Sequence, residues 1–329
     1  MNGPLRVAVD GTSLLGQRTG VGHVTAGLVE ALARRDSLDV VAFAVTWRGR
    51  RDLAARVPSG ARAATTRFPA RLARALWLRT DHPRIERWTG PVDVVHAANF
   101  VAPPTSVPVV VTVYDLTFAR YPEMCTADTL QYPRLIRRAL ARGATVHVTS
   151  DFVGAEVQEE FALPPERVVR VAPGLRDNSG GDAGAGARLA GASSYALALG
   201  TVEPRKNLPA LVRAFDLAAA GSDLHLVVAG ACLFAYPSHY EGFGLPPLEA
   251  MAAGVPVVAA EAGALPEVLG DAALLVDPRD EVAIAEGLRR VAGDDELRAT
   301  LVARGRERAA SFSWERAGSE LEALYRSLR

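Results

Sequence analysis

"YPSHYEGFGLPPLEAMAAGVPVV", residues 236–258, holds two glutamates, Glu241 and Glu249, with seven residues between them. Gly242, Phe243, Gly244 and Leu245 make a loop, Pro246 and Pro247 suit a first helical turn, and Gly254 suits its end. One carboxylate thus stands before a glycine-containing turn, backbone N–H groups are free at a helix start, and a second carboxylate lies in the first turns. Carboxylates accept hydrogen bonds from sugar hydroxyls, and helix-start N–H groups bind anions. The layout suits two polyol groups flanking a phosphate. Taken by its spacing alone, it is also compatible with a plain strand–turn–helix carrying two solvated glutamates.

Upstream, "EPRKN" (203–207) contains Lys206, the single lysine among 37 basic residues. An ammonium kept where every other cation is a guanidinium points to a chemical need for a compact point charge beside the fork of Arg205. A loop that is basic by chance is the bland alternative.

The rest of the chain alternates apolar runs with helix-like segments. "RVAVDG" (6–11), "DVVAFAV" (39–45), "VDVVHAA" (92–98), "VPVVVTVYD" (107–115) and "ATVHVTS" (144–150) read as strands, with helices at 24–35 and 130–143. Strands apolar throughout and separated by helices argue for a parallel sheet covered on both faces. "GLRDNSGGDAGAGARLAGASS" (174–194) lacks large apolar periodicity and reads as a linker. A second α/β series follows, with strands at 195–200, 224–230, 255–260 and 272–277 and a helix at 208–220. The expected division is 1–172, a linker at 173–194, 195–312, and a closing helix at 313–329. One junction resists the scheme: "LHLVVAG" (224–230) runs straight into "ACLFAYPS" (231–238), although neighbouring parallel strands need a crossover of about a dozen residues. Either the two form one bent strand, or a crossover is absent between Gly230 and Ala231.

Composition narrows the class. A chain of 329 residues with 49% hydrophobic and 22% charged residues can bury two cores. Two cysteines make no disulfide framework, and no basic start with an apolar run marks a signal peptide. A cytoplasmic location is expected, with no nucleic-acid partner. Net charge zero hides an asymmetry: residues 1–172 carry 22 Arg against 16 acidic residues, and 173–329 carry 15 basic against 21 acidic. The halves therefore differ in surface or ligand.

The 236–258 segment resembles the E-x7-E signature of retaining glycosyltransferases of the family-4, or "group 1", kind. "LGTVEPRKNLPALVRAF" (199–215), "GALPEVLGDAALLVDPRD" (263–280), "SFSW" (311–314), "RTGVGHVTAGLVEAL" (18–32), "VDVVHAANFVAPP" (92–104) and "VTSDFVGAEV" (148–157) resemble further parts of that family, in its order. The resemblance implies a GT-B fold: two doubly wound Rossmann-like parallel-sheet domains facing each other across a cleft, with a final helix packed back on the first. It implies that Glu241 contacts the transferred sugar and Glu249 the nucleotide ribose. Phe243, Gly244 and Leu245 would offer N–H groups to sugar and phosphate, and Arg205 and Lys206 would bind the diphosphate. Gly200 and Thr201 would belong to the donor site, and the loop of Gly20, Val21, Gly22 and His23 would face the diphosphate and acceptor. A nucleotide-diphosphate sugar and a sugar-containing acceptor are the partners implied.

Loss of a nucleoside diphosphate develops negative charge that must be stabilised. Many such enzymes hold a divalent metal with Asp-x-Asp, which this chain lacks. Adjacent cations at 205 and 206 are the natural substitute, so no metal or cofactor is expected. "GVGHVTAG" is not G-x-G-x-x-G and lies about ten residues past its strand, which argues against a dinucleotide site.

Two departures from the family bear on activity. Tyr114 stands where relatives usually carry His before Asp115, and a phenol is a poor base near neutral pH. His96 in "VVHAANF" is expected at a strand end facing the cleft, where it or Asp115 would assist. The second departure is the junction at 230–231. Together they leave open an activity-poor subunit supporting another glycosyltransferase; a sugar-nucleotide epimerase fits the glutamate pair less well. Finally, "RFPARLARALWLR" (67–79) is basic and amphipathic, a pattern of ordinary surface helices and of peripheral contact with anionic membranes.

Overall fold

In a computed structural model, residues 3–16, 20–47, 51–175, 195–198, 203–219, 225–227 and 233–329 are described. The chain forms two compact units, 1–174 with 313–329, and 175–312. Gly200, Thr201, linker residues 176–194 and the Gly230–Ala231 junction lie outside the described residues.

The first unit runs β1 (Leu5–Asp10), α1 (Gly20–Ala33), β2 (Leu38–Ala44), α2 (Leu53–Arg56), β3 (Arg62–Thr65), α3 (Ala70–Trp77), α4 (Glu86–Thr89) and β4 (Val94–Ala97). It continues with β5 (Val109–Val113), α5 (Thr117–Arg120), α6 (Tyr132–Ala141), β6 (Thr145–Val148), α7 (Asp151–Phe161) and β7 (Val168–Arg170). Its sheet is parallel, in the order β3-β2-β1-β4-β5-β6-β7. The direction of winding reverses between β1 and β4, where a doubly wound sheet opens a crevice at its carboxyl ends. Edge strands β3 and β7 are short and partly exposed, and they escape a reading based on apolar runs.

The second unit contains β8 (Tyr195–Leu197), α8 (Leu208–Ala219), β9 (His225–Val227), β10 (Leu233–Tyr236), α9 (Leu245–Ala252), β11 (Val257–Ala260), α10 (Leu265–Leu269), β12 (Leu274–Val276), α11 (Glu281–Gly293) and α12 (Asp295–Ala310). The order β12-β11-β10-β8-β9 puts β9 and β10 on opposite sides of β8, both parallel to it. They are two strands, which removes the single-bent-strand reading of the junction.

The last helix, α13 (Trp314–Ser327), packs on α1. Small residues allow the approach: a Cβ on Gly27 would sit 2.2 Å from the Trp314 ring, and one on Gly318 3.3 Å from Ala31. Glu322 of α13 binds Arg35, Ser37 and Arg326. Burial would raise its carboxyl, but these donors outweigh it and hold the pKa at about 2.

Tyr325 reaches the sheet interior and joins a buried chain of four side chains. Its hydroxyl lies 2.5 Å from His96 Nδ1, His96 Nε2 lies 2.8 Å from Thr112 Oγ1, and Thr112 lies 2.9 Å from His147 Nδ1. His147 Nε2 meets the Val171 carbonyl at 3.0 Å. A carbonyl only accepts, so His147 Nε2 carries a proton and, in the neutral ring, Nδ1 accepts from Thr112. Thr112 then accepts from His96 Nε2–H, and Tyr325 donates to His96 Nδ1. Every donor and acceptor is used once with both rings neutral. Burial pushes His96 well below its ordinary pKa and His147 down to about 4. This corrects the expectation that His96 faces a ligand: it is fully buried and satisfied.

Candidate active site

Lys206 and Glu241 come together on the second unit although 35 residues separate them. The turn Pro204–Lys206 leads from β8 into α8 and is fixed by Asn207, which takes the left-handed conformation (φ +56°) and donates from Nδ2 to the Pro278 carbonyl at 2.6 Å. Asparagine is among the few non-glycine residues that tolerate that region. On the facing loop, the Arg205 carbonyl accepts from His239 N at 2.8 Å, tying the two segments edge to edge.

Lys206 Nζ stands 2.5 Å from Glu241 Oε1 and 2.7 Å from the Tyr236 hydroxyl, and Arg205 Nη1 stands 3.0 Å from Glu241 Oε2. Arg205 Nε reaches Glu203 at 3.0 Å on the exposed side. With Lys206 9% and Glu241 7% exposed, the inner cluster holds two cations against one anion, nearly out of water. Burial lowers the Lys206 pKa, while burial opposes ionisation of Glu241 and is outweighed by Lys206 and Arg205, so its carboxyl sits below the usual range. Buried ion pairs are poor sources of stability because desolvation offsets their attraction. A shifted, buried pair of this kind beside a loop is a candidate functional site.

Glu241 begins the loop into α9. Gly244 has φ +100°, and a Cβ there would lie 2.6 Å from Leu265 Cδ2, so glycine is required on both counts. Gly263 packs its backbone against Glu241, which accepts from Ala264 N at 2.9 Å. Pro246 and Pro247 in the first turn of α9 carry no N–H. The donors left are those of Phe243, Gly244 and Leu245, and none has an acceptor among the described residues. Phe243 is held by an edge-on contact with Phe312, ring centres 5.6 Å apart. Glu249 lies in α9, half-buried. No group of His, Cys, Asp or Glu among the described residues has the arrangement to hold a metal.

The first-unit candidates are placed differently. Gly20, Val21, Gly22 and His23 form the first turn of α1 rather than a loop. The Tyr114 hydroxyl donates to the Ala98 carbonyl at 2.9 Å, and burial raises its pKa well above the ordinary value. It ties the ends of β4 and β5 together, and the raised pKa keeps the phenol protonated near neutral pH. Asp115 accepts from Thr117 N at 3.0 Å, two residues before the first residue of α5. Sequence reasoning missed Tyr236, Asn207 and Gly263, of which only the Asn, beside "PRK", carries a local signal.

Two family profiles match: "Glycosyl transferase 4-like domain" over residues 19–174 and "Glycosyl transferases group 1" over 231–308. The chain is 30% identical over 302 residues to the O-antigen chain mannosyltransferase B of Escherichia coli, covering 76% of this chain and 79% of that one. It is 35% identical over 242 residues to a D-inositol 3-phosphate glycosyltransferase of Salinispora arenicola, covering 69% of this chain and 51%, about half, of that one. Anabaena HepE, solved with UDP and glucose, shares its fold with a TM-score of 0.70 at 17% identity, over 98% of this chain and 100% of that one. With both units matched and a relative at this identity aligned over most of its length, the chain belongs to the group 1 glycosyltransferases and has their GT-B fold.

Proposed function

We propose that this chain transfers a glycosyl group, with retention, from a nucleotide-diphosphate sugar to the hydroxyl of a glycan, lipid-linked or small-molecule acceptor. The observation that carries the reading is the Arg205–Lys206–Glu241 cluster beside three N–H donors at 243–245 that have no acceptor among the described residues. The donors receive phosphate and sugar oxygens, and the two cations neutralise the diphosphate as its bond to the anomeric carbon breaks, the part a metal plays elsewhere. The acceptor oxygen bonds to the same face of that carbon, and its proton passes to a leaving phosphate oxygen. Glu241, with both carboxylate oxygens engaged, orients the cations and the sugar rather than attacking carbon. The UDP and glucose of the HepE structure and the sugar transfer named for the curated relatives support a nucleotide-sugar donor.

The test is release of nucleoside diphosphate from UDP-, GDP-, ADP- and TDP-sugars, first screened by thermal shift. Slow release by the wild type, reduced about 10²- to 10³-fold in Glu241→Ala and unchanged by a chelator, is expected. No release with any donor, and no thermal shift, would replace this reading with that of an inactive supporting subunit.

A further inference from the structure

N–H donors stabilise a phosphate only when the backbone that carries them is held at a fixed angle. Those of Phe243, Gly244 and Leu245 have no acceptor among the described residues, so the loop gains no rigidity through them. Its shape is imposed from behind, by two supports outside the 236–258 segment. Gly244 rests on Leu265, the first residue of α10. Phe243 rests on Phe312, with the ring planes at 87°.

One side chain joins the two supports. Arg308, near the end of α12, donates from Nε to the Val268 carbonyl at 2.8 Å and from Nη2 to the Glu267 carbonyl at 2.7 Å. These carbonyls belong to the last turn of α10, where a five-residue helix has no N–H of its own to offer them. The same guanidinium stands 5.2 Å from the centre of the Phe312 ring, within cation–π range. Arg308 therefore clamps both the helix under Gly244 and the ring behind Phe243. The Phe312 carbonyl accepts from Leu175 N at 3.1 Å, which fixes the backbone that carries the ring. The rest of this turn lies close on α9: a Cβ on Gly305 would sit 3.0 Å from Met251 Cγ, two residues past Glu249.

We infer that Arg308 and Phe312 are positioning residues for glycosyl transfer, holding the N–H groups of 243–245 in register with Arg205, Lys206 and Glu241. The role rests on the transferase reading and gives the "SFSW" segment a task in it. Both residues act through Phe243 and α10 rather than on the substrate. Charge on the diphosphate grows as its bond to the sugar breaks, so a tilted loop loses more against the transition state than against the bound donor. The defect falls on kcat and spares KM.

Nucleoside diphosphate release by the full chain is measured with the sugar donor that the wild type turns over fastest. Phe312→Leu and Arg308→Gln are expected to lower kcat about 10- to 30-fold and to change the donor KM less than about threefold. Phe312→Tyr, which keeps the ring, returns kcat to within about twofold of wild type. Arg308→Lys falls between, because an ammonium cannot serve two carbonyls and a ring face together. Arg304→Gln removes an exposed pair with Asp271 on the same helix and leaves kcat unchanged. Arg308 and Phe312 are both partly exposed, so the variants keep the fold, read by circular dichroism. Unchanged kcat in both loss variants, a raised KM at constant kcat, or a loss that Phe312→Tyr does not restore overturns the inference. Calorimetry with UDP, GDP, ADP and TDP reads the loop without turnover. A nucleoside diphosphate carries the charge of the departed leaving group, and its affinity falls about tenfold in the two loss variants. If the wild type binds a diphosphate but turns over no donor, that fall supports the brace and sinks the transfer reading. Donor turnover with kcat and diphosphate affinity untouched in both variants does the reverse. A wild type that binds none of the four diphosphates overturns the brace as well.

Discussion

Each unit buries a cluster of ionisable side chains, and the two clusters are finished in opposite ways. In the first unit, Tyr325, His96, Thr112 and His147 form a neutral chain in which each proton has one place. In the second, Arg205, Lys206 and Glu241 keep their charges although two of the three are more than nine-tenths buried. A neutral, satisfied chain costs little to bury and fixes how the last helix docks. A charged cluster beside unpaired N–H donors is costly to bury and leaves capacity unused until a ligand arrives. Burial and buried histidine are thus poor markers of function here; unspent charge and unspent donors are better ones.

Acid is the sharpest way to separate the two. His147 has a folded pKa of about 4 against an ordinary 6.5, so only the unfolded chain takes up its proton in between. Its stability contribution is complete above about pH 6.5, declines as pH falls toward 4, and changes no further below that; at full extent it amounts to about 3 kcal/mol. Glu241, held below its ordinary 4.5, keeps its charge throughout most of that window. Hydrogen exchange at pH 7 and pH 5, corrected for intrinsic rate, should show protection lost in β4–β6 and kept in β10 and β11. Equal loss in both units would erase the contrast.

Lys206→Arg probes the charged cluster at constant charge. Nζ sits between Glu241 and Tyr236 in a space sized for an ammonium, and a guanidinium there must displace one of them. Turnover about 10- to 100-fold lower is expected, with the fold intact by circular dichroism; normal turnover would make the single lysine an accident of composition. Tyr325→Phe is the milder test. It leaves His96 Nδ1 without its donor and is expected to cost about 1–2 kcal/mol, read as a melting point lower by a few degrees at pH 7.5.

Much of this was legible in the sequence. Apolar runs between helical segments marked the central strands, and the Glu241–Glu249 spacing with "PRK" located the charged cluster. What stayed hidden has physical causes. All four residues of β4 are buried, so the alternation that separates inner from outer faces is missing, and His96 could not be oriented. Asp10 and Asn99 come near each other only because β1 and β4 pair across 83 intervening residues, a long-range contact without local signature. Tyr236 reads as one more apolar strand residue until Lys206 folds onto its hydroxyl. The short edge strands carry too few apolar residues to announce themselves.

The placement of α13 in the first unit has a consequence for synthesis. The sheet it covers is finished at Arg170, whereas the helix begins at Trp314, with the whole second unit translated between them. At about 5–20 residues per second, that interval lasts roughly 7 to 30 s. Through it, the nascent first unit shows the ribosome-bound world a bare α1 face around Gly27 and Ala31, and a His96 whose proton donor does not yet exist. A chain cut off before Trp314 leaves that face uncovered.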